Sequence, residues 1–391
     1  MLPVQLFLVG LSLCGCGYYV LCLWSARLFL MQRASTAEST FAPPVSFLKP
    51  LKGIDPEIYA SLRSHCLLDY PQYEIIFGVD STDDPAVATV ERLRREFPVR
   101  PMKLVVCPEV LGGNLKVSSL IQMLPHARYE HLLVNDSDIR VEPNYLRRVV
   151  APLRDAGVGI VTCLYRGIAG GTLGSRLEAL GISSDFCGGV LSAIQMENGI
   201  HFGLGSTLVF RRTDLHSCGG FEALADYLAD DYELGQRLSH GSLRGHLSEV
   251  VVETFLPAYT WPAFFDHQLR WSRSVRDSRG WGYLGVALTF GLPWSFLGLA
   301  LSPRTWWVWL VFGFTLALRM LMAWVLGVSV AQDRQVLRYF WLIPLRDLVA
   351  LLIWVAGYLG TTVVWRGDRF LLRQGKLTKL TDEAASSGSS K

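Results

Sequence analysis

Two carboxylates one residue apart, Asp136 and Asp138, follow directly on an apolar run in the stretch HLLVNDSDIRV. The apolar run is typical of a buried strand. Carboxylate oxygens are ligands that magnesium and manganese prefer, usually together with phosphate oxygens of a substrate. The same Asp-Ser-Asp sequence is also typical of an ordinary polar turn. Taken alone the motif indicates a turn more often than a metal site, so its position in the fold must decide.

The segment 42–255 predicts a mostly parallel α/β sheet. Short, continuous apolar runs alternate with helical patterns, as expected when helices cover both faces of a parallel sheet. In such sheets ligands bind beyond the carboxyl ends of the strands. We predict strands at 45–48, 73–79, 103–107, 131–135, 158–164 and 206–210, with helices at 57–67, 85–97 and 115–124.

The residues that follow the first four strands predict one polar rim. Carboxylates beside lysines and a glycine turn would suit a phosphorylated ligand held through a divalent cation, Mg²⁺ or Mn²⁺. Each piece has a simpler explanation, since Asp-Asp-Pro is also a typical helix start. Because all four segments follow the carboxyl ends of strands in one sheet, we favour a ligand site over four unrelated turns and helix starts. The segments are Lys49-Pro50-Leu51-Lys52-Gly53, Asp80-Ser81-Thr82-Asp83-Asp84-Pro85, Gly112-Gly113-Asn114-Leu115-Lys116 and Asp136-Ser137-Asp138.

Two later stretches could complete this site. In ADYLADDYE (225–233), Asp230 and Asp231 open a predicted helix, where a carboxylate either compensates the helix dipole or acts as a general base. In WPAFFDHQLRWSRSVR (261–276), apolar residues recur at helical spacing beside cationic ones. We interpret 256–280 as an amphipathic helix on a membrane surface, with an Arg-Trp pair that could also close over phosphates or sugar.

Apolar segments at both ends predict a multi-pass membrane protein. Residues 4–24 carry no charge and are long enough to cross a bilayer, and Arg27 and Arg33 follow them. We expect an uncleaved anchor over 1–33, with the next domain in the cytoplasm. The segment 281–366 contains candidates at 282–301, 305–328 and 343–365, with a basic and then disordered tail at 367–391. Because three crossings would leave that basic tail outside, we hypothesise that the segment broken by Pro293 is re-entrant or interfacial.

Composition excludes some classes of protein. The formal net charge is only +3, which argues against nucleic acid as a partner. Five cysteines outside the first apolar segment lie far apart with no C-x-x-C pair. This spacing argues against a zinc site or a disulfide framework and fits a reducing cytosol.

The ordered motifs FLKPLKG, DDPA, GGNLK, NDSD, ADDYE and HQLRW resemble the ceramide glucosyltransferase family of membrane-bound GT-A enzymes across roughly 44–280. The resemblance is strongest to the bacterial hopanoid-biosynthesis-associated branch. It implies a GT-A domain on a bacterial inner membrane. It also implies inverting transfer of glucose or N-acetylglucosamine from a UDP-sugar to a lipid hydroxyl, on ceramide or a hopanoid polyol, giving a β-glycolipid.

The resemblance also implies residue roles. Asp231 would be the catalytic base, and Asp136 with Asp138 would hold the divalent cation on the diphosphate. Arg270 and Trp271 would lie next to the leaving diphosphate and sugar. One position departs from the family's (Gln/Arg)-x-x-Arg-Trp signature, because His267 stands first, unless Gln268 fills the role from a shifted register. Nucleotide contacts would come from Pro50, Lys52, Asp84, Asn114, Lys116 and Asp136.

Two alternatives remain open at this point. A processive polysaccharide synthase would need a larger membrane pore than these segments offer. A channel or scaffold that only binds nucleotide would have little use for Asp231 together with the Arg-Trp pair. Release of UDP on adding a lipid acceptor separates these classes.

Overall fold

The chain folds as an α/β domain joined to long apolar helices. The structure is a computed structural model that describes residues 2–35, 39–365 and 368–380. The strands are β1 Val45–Pro50, β2 Tyr73–Val79, β3 Met102–Val106, β4 His131–Val134, β5 Ile139–Arg140, β6 Val158–Ile168, β7 Leu208–Arg211, β8 Arg244–Phe255, β9 Thr362–Trp365, β10 Asp368–Arg373 and β11 Lys376–Lys379. The α-helices are α1 Leu2–Ser35, α2 Ile58–Cys66, α3 Ala86–Glu96, α4 Leu115–Met123, α5 Tyr145–Val150, α6 Leu173–Gly181, α7 Cys187–Met196, α8 Arg212–Ser217, α9 Asp230–Arg237, α10 Trp261–Arg279, α11 Trp281–Gly285, α12 Gly291–Leu301, α13 Trp306–Trp324, α14 Gln335–Tyr339 and α15 Ile343–Gly357.

An eight-stranded sheet in the order β3-β2-β1-β4-β7-β6-β8-β5 forms the core of the α/β domain. Strands β1 to β4 run parallel, and β7 pairs antiparallel with both β4 and β6. Strand β2 is buried along its whole length because helices cover both faces. The predicted mostly parallel sheet is confirmed. The predicted strands and the three predicted helices are confirmed within about two residues at each end, except that β6 continues to Ile168, four residues beyond its predicted end.

The register of β1 and β4 places the polar rim. Leu48 lies opposite Val134, so the loops that follow the two strands leave the sheet at the same level. The ammonium of Lys49 is fully buried there and donates to Oδ1 of Asn135 at 2.7 Å and to the carbonyl of Asp136 at 3.0 Å. These bonds tie the end of β1 to the turn that carries the two aspartates.

The apolar helices partly match the predicted membrane segments. In the described ranges, helices at Pro3–Ser35, Leu173–Met196, Trp306–Val330 and Gln335–Gly357 are long and apolar enough to cross a membrane. A further pair, Trp281–Thr289 and Gly291–Leu301, is bent by 60°. The predicted segment over 343–365 is wrong at its end, because the helix stops at Gly357 and residues 362–365 form β9. The helix at Leu173–Met196 was not predicted.

Charges inside the apolar helices face protein. Arg319 on α13 is 1% exposed and donates to the carboxylates of Asp347 and Asp185 at 2.8 Å. This pairing offsets the cost of burying the guanidinium between helices.

The basic segment after α15 is a folded part of the protein. Strands β9 to β11 form an antiparallel sheet, and the amide of Leu377 donates to the carbonyl of Asp226 in the α/β domain at 2.7 Å. The terminal sheet therefore packs directly against the α/β domain. The basic part of the predicted tail, residues 368–380, forms these strands, and the stretch predicted to be disordered, EAASSGSSK, lies outside the described residues.

Helices α1 and α12 meet backbone to backbone. A Cβ added to Gly15 would lie 2.2 Å from the Cα of Gly291. Small residues allow such close approach between membrane helices. By contrast, a Cβ at Gly10 on the same helix would have nothing within 4 Å.

We therefore expect Gly15→Leu to lower the thermal unfolding temperature in detergent, because overpacking costs about 1–3 kcal/mol or more. Gly10→Leu is the matched control and should unfold at or above the wild-type temperature, since leucine favours a helix over glycine. Equal unfolding temperatures for the two variants would contradict this helix contact.

Candidate active site

A cavity of about 2140 Å³ opens over the rim of the sheet. Loops after β1, β2 and β4, the start of α9, and one face of α10 line it. Its volume exceeds the roughly 300–1,000 Å³ of ordinary ligand pockets, so it has room for more than one ligand. Most of the predicted site residues line it: Pro50, Lys52, Lys116, Asp136, Asp138, Asp231, His267, Arg270 and Trp271.

Lys116 joins two carboxylates of the site. Its ammonium lies 2.9 Å from Oδ1 of Asp136 and 3.2 Å from Oδ2 of Asp230. Burial alone would lower the pKa of Lys116, but the two carboxylates outweigh that effect and raise it above the usual value. Lys116 is therefore a charged residue that holds the aspartate turn against the start of α9.

Asp136 and Asp138 form an oxygen-donor pair of the kind that Mg²⁺ and Mn²⁺ bind. The side chain of Asp136 is 44% exposed to the cavity, whereas Asp138 is held by a 2.5 Å hydrogen bond from Thr254. Burial and the neighbouring Asp136 raise the pKa of Asp138 to about 6. Among the described residues, no group of three or more His, Cys, Asp or Glu side chains converges as a metal cage. Such a pair fits a cation whose remaining ligands come from substrate phosphates.

Asp231 is oriented by backbone amides. Its Oδ2 accepts from the amide of Gly205 at 2.7 Å and its Oδ1 from that of Tyr232 at 2.8 Å. A Cβ at Gly205 would lie 3.2 Å from Oδ2 of Asp231 and 3.1 Å from Oδ2 of Asp136, so the two carboxylates converge there. Burial, and then Asp230, raise the pKa of Asp231 to about 6. A carboxylate with this pKa is ionised yet basic near neutral pH.

Glu178 of α6 explains the unusual start of the HQLRW motif. Its carboxylate is almost fully buried and lies 3.1 Å from Nδ1 of His267. The amide of Gln268 donates to the same carboxylate at 3.1 Å. His267 also packs against Trp271, with 5.3 Å between ring centres. Both candidates for the first signature position thus anchor α10, and His267 alone of the two lines the cavity.

Three predicted nucleotide contacts lie beside the cavity instead of lining it. Asp84 accepts from the amides of Gly53 and Ala86 and so fixes the loop that carries Lys52. Asn114 is buried, caps α4 by accepting from the amide of Val117, and donates to the carboxylate of Asp230. The third of these residues, Gln268, donates to the carboxylate of Glu178. The structure shows positioning contacts for these residues, and their contact with a nucleotide stays a prediction.

The sequence did not reveal two parts of the site. One is the Lys49 network, where His65 contacts both Lys49 and Asn135; a lysine within an apolar strand was the available signal. The other is the terminal sheet, which contributes Trp365 to the cavity wall. The guanidinium of Arg270 lies 6.0 Å from the centre of the Trp365 ring. No local pattern in a short basic segment predicts this long-range packing.

The eight-stranded sheet and the polar rim at the carboxyl ends of its strands match the GT-A fold of glycosyltransferases. The solved structure of mannosyltransferase PcManGT from Pyrobaculum calidifontis, in complex with GDP-Man and Mn²⁺, superposes with a TM-score of 0.56 at 19% identity, covering 91% of this chain and 99% of that one. At this identity the match shows the shared fold, and it confirms the predicted GT-A class.

Sequence comparison narrows the assignment. A family model described as Glycosyl transferase family 21 matches residues 7–378. Ceramide glucosyltransferase 1 of Caenorhabditis elegans is 25% identical over 361 residues, which cover 85% of this chain and 72% of that protein. Ceramide glucosyltransferase of Komagataella phaffii is 33% identical over 132 residues, 32% of this chain and 26% of that protein.

The chain belongs to glycosyl transferase family 21 and is a hexosyltransferase. The resemblance to the ceramide glucosyltransferase family and the prediction of an enzyme are confirmed. The hopanoid branch stays a prediction.

The terminal sheet is bonded to the loop that precedes Asp231, the candidate base. The amide of Leu228 donates to the carbonyl of Gly375 at 2.9 Å, next to the start of α9. A chain truncated after Gly360 should therefore lose about a hundredfold in transfer rate, since a misplacement of about 1 Å at a site has that effect. A chain truncated after Leu380 is the control and should keep full activity. Equal activity of both truncated chains, measured after size-exclusion chromatography, would contradict a role for the sheet.

Proposed function

We propose that this protein transfers glucose or N-acetylglucosamine from a UDP-sugar to a hydroxyl of a membrane lipid, with inversion at the anomeric carbon. The named activity of the relatives makes ceramide the first acceptor to test and glucose the first sugar. A hopanoid polyol, suggested by the sequence motifs, is the second acceptor.

The observation that carries this proposal is the convergence of Asp136 and Asp231 on Gly205. Asp136 belongs to the oxygen-donor pair with Asp138. Asp231 is the candidate base, and two backbone amides orient its carboxylate. An anomeric carbon between them would have its diphosphate on one side and its attacking hydroxyl on the other. This arrangement supports a single displacement, which inverts the configuration.

The chain's own residues supply the remaining chemistry. Asp231 accepts the proton of the attacking hydroxyl. Arg270, on the cavity face of α10, offsets negative charge on the departing diphosphate, an effect worth roughly 3 kcal/mol for one such group. A divalent cation held by Asp136 and Asp138 would neutralise the diphosphate. Lys52 lies at the rim beside Asp80, at 3.2 Å, and is placed to contact the nucleotide.

We propose that the catalytic domain faces the cytoplasm. Arg27 and Arg33 follow the first apolar segment, as the positive-inside rule requires. The cysteines are free thiols, which supports a reducing compartment. A bacterial inner membrane would fit both the position of the arginines and the free thiols. Labelling of a cysteine placed at residue 380 in sealed vesicles tests the orientation of the protein.

Purified protein in lipid nanodiscs should release UDP from a UDP-sugar when the lipid acceptor is added. Mass spectrometry should then find the lipid heavier by one hexose or N-acetylhexosamine. A ladder of added sugars would instead indicate a processive synthase. Absence of any lipid-dependent release across ceramide and hopanoid polyols would contradict the proposed function.

Asp231→Asn should bind the UDP-sugar normally yet lose about 10²–10⁴-fold in kcat, because an amide cannot accept the proton. Glu233→Gln, on the same helix but outside the cavity, is the matched control and should keep its activity. Isothermal titration measures donor binding and a UDP-release assay measures kcat.

The pH dependence gives a second test of the base. Because the pKa of Asp231 is raised to about 6, its carboxylate is ionised above that pH and protonated below it. At saturating metal, kcat should fall as the pH drops through about 6, and the residual turnover of Asp231→Asn should lack this fall, which separates Asp231 from Asp138, whose pKa is also about 6. Turnover by Asp231→Asn at the wild-type rate would show that another group accepts the proton.

A further inference from the structure

The large cavity has an apolar extension away from the charged rim. It runs between α1, α7 and α11, where Gly17, Leu21, Gly189, Val190, Gly285 and Val286 line it. We refer to these six residues as the acceptor groove. The same cavity contains Asp231, so the groove is continuous with the proposed base.

The walls of the groove lack side chains at several points. A Cβ at Gly17 or Gly285 would have nothing within 4 Å, and one at Gly189 would meet only the hydroxyl of Tyr18 at 3.8 Å. These glycines therefore leave space beside the helices without serving a close helix contact. Gly15 differs, because it packs against Gly291. Open space at these three positions is what a ligand beside the helices requires.

Polarity changes along the cavity wall. Arg270, Ser274 and Arg279, the last of them ion-paired with Glu197, line the cavity along α10, and Gly285 and Val286 line the far part, beyond the end of α10. The far part borders α1, a helix with the length and hydropathy of a membrane span. An occupant with a polar hydroxyl end and a hydrocarbon end matches this change. A sugar, a nucleotide or a peptide would place polar groups against the apolar end, at a cost in desolvation.

We propose that the acceptor groove holds a hydrocarbon chain of the lipid acceptor, which enters sideways from the bilayer past Gly17 and Gly285. The chain then fixes the lipid so that its hydroxyl reaches Asp231. This inference rests on the proposed function and adds to it the place and the chemical class of the acceptor site.

Leucine at Gly17 or Gly285 would fill the groove without touching the rest of the fold. Each methylene of the lipid that is buried in the groove contributes roughly fourfold in affinity. A leucine side chain would displace about two methylenes of the lipid. We therefore expect the KM for long-chain ceramide to rise by about tenfold or more. The KM for a short-acyl ceramide should change less. The Kd for the UDP-sugar should not change. Gly313→Leu on α13 is the matched control, because its Cβ also has nothing within 4 Å and it does not line the cavity.

Crosslinking with a photoactivatable ceramide gives a readout that does not depend on turnover. Crosslinked peptides should come from residues 14–21 or 282–288, and Gly17→Leu should abolish them. If the wild type transfers sugar to ceramide while Gly17→Leu and Gly285→Leu match Gly313→Leu, the groove is wrong and the proposed function stands. If the wild type glycosylates no membrane lipid, the proposed function fails and the groove fails with it.

Discussion

The site depends on the balance of charge at one end of the sheet. Asp136, Asp230 and Asp231 converge in a partly buried place, where like charges raise the free energy of the folded state. Lys116 offsets two of them directly, at 2.9 and 3.2 Å. The ammonium of Lys49, bonded to the backbone of Asp136 from inside the sheet, supports the same turn. The remaining negative charge favours binding of a cation, and we propose that the site holds the sugar diphosphate in this cation-bound state.

The rest of the molecule brings this charged rim to a membrane. Helix α10 is fixed to the α/β domain through Glu178, and it is fixed to the terminal sheet through Arg273, which donates to the carbonyl of Thr362 in β9. The same helix lines the cavity from the rim towards the apolar helices. In the proposed function, a water-soluble donor and a membrane-bound acceptor would meet in this one cavity. Release of the terminal sheet would open the wall that Trp365 forms.

The sequence predicted the parts of the fold whose signal is local. Continuous apolar runs marked β1 to β4, and polar residues after them marked the rim. Strand β8 was missed because Glu249 and Glu253 make it look polar, although Arg148 and Arg166 pair with them at 2.9 and 2.8 Å in the fold. The terminal sheet was missed for a related reason, since its short basic strands are stabilised by pairing with a distant loop. The contacts of Glu178 also depend on packing that no spacing reveals.

The central claim is that Asp136 and Asp138 hold a divalent cation on the donor diphosphate opposite Asp231. A structure of the protein with Mn²⁺ and a non-hydrolysable UDP-sugar, with the metal located by anomalous scattering, tests it most directly. We expect a Mn²⁺ peak about 2.1 Å from a carboxylate oxygen of Asp136 or Asp138, with the anomeric carbon facing Asp231. The peak should disappear in Asp136→Asn. A donor bound without metal at this pair, or with its anomeric carbon turned away from Asp231, would contradict the account.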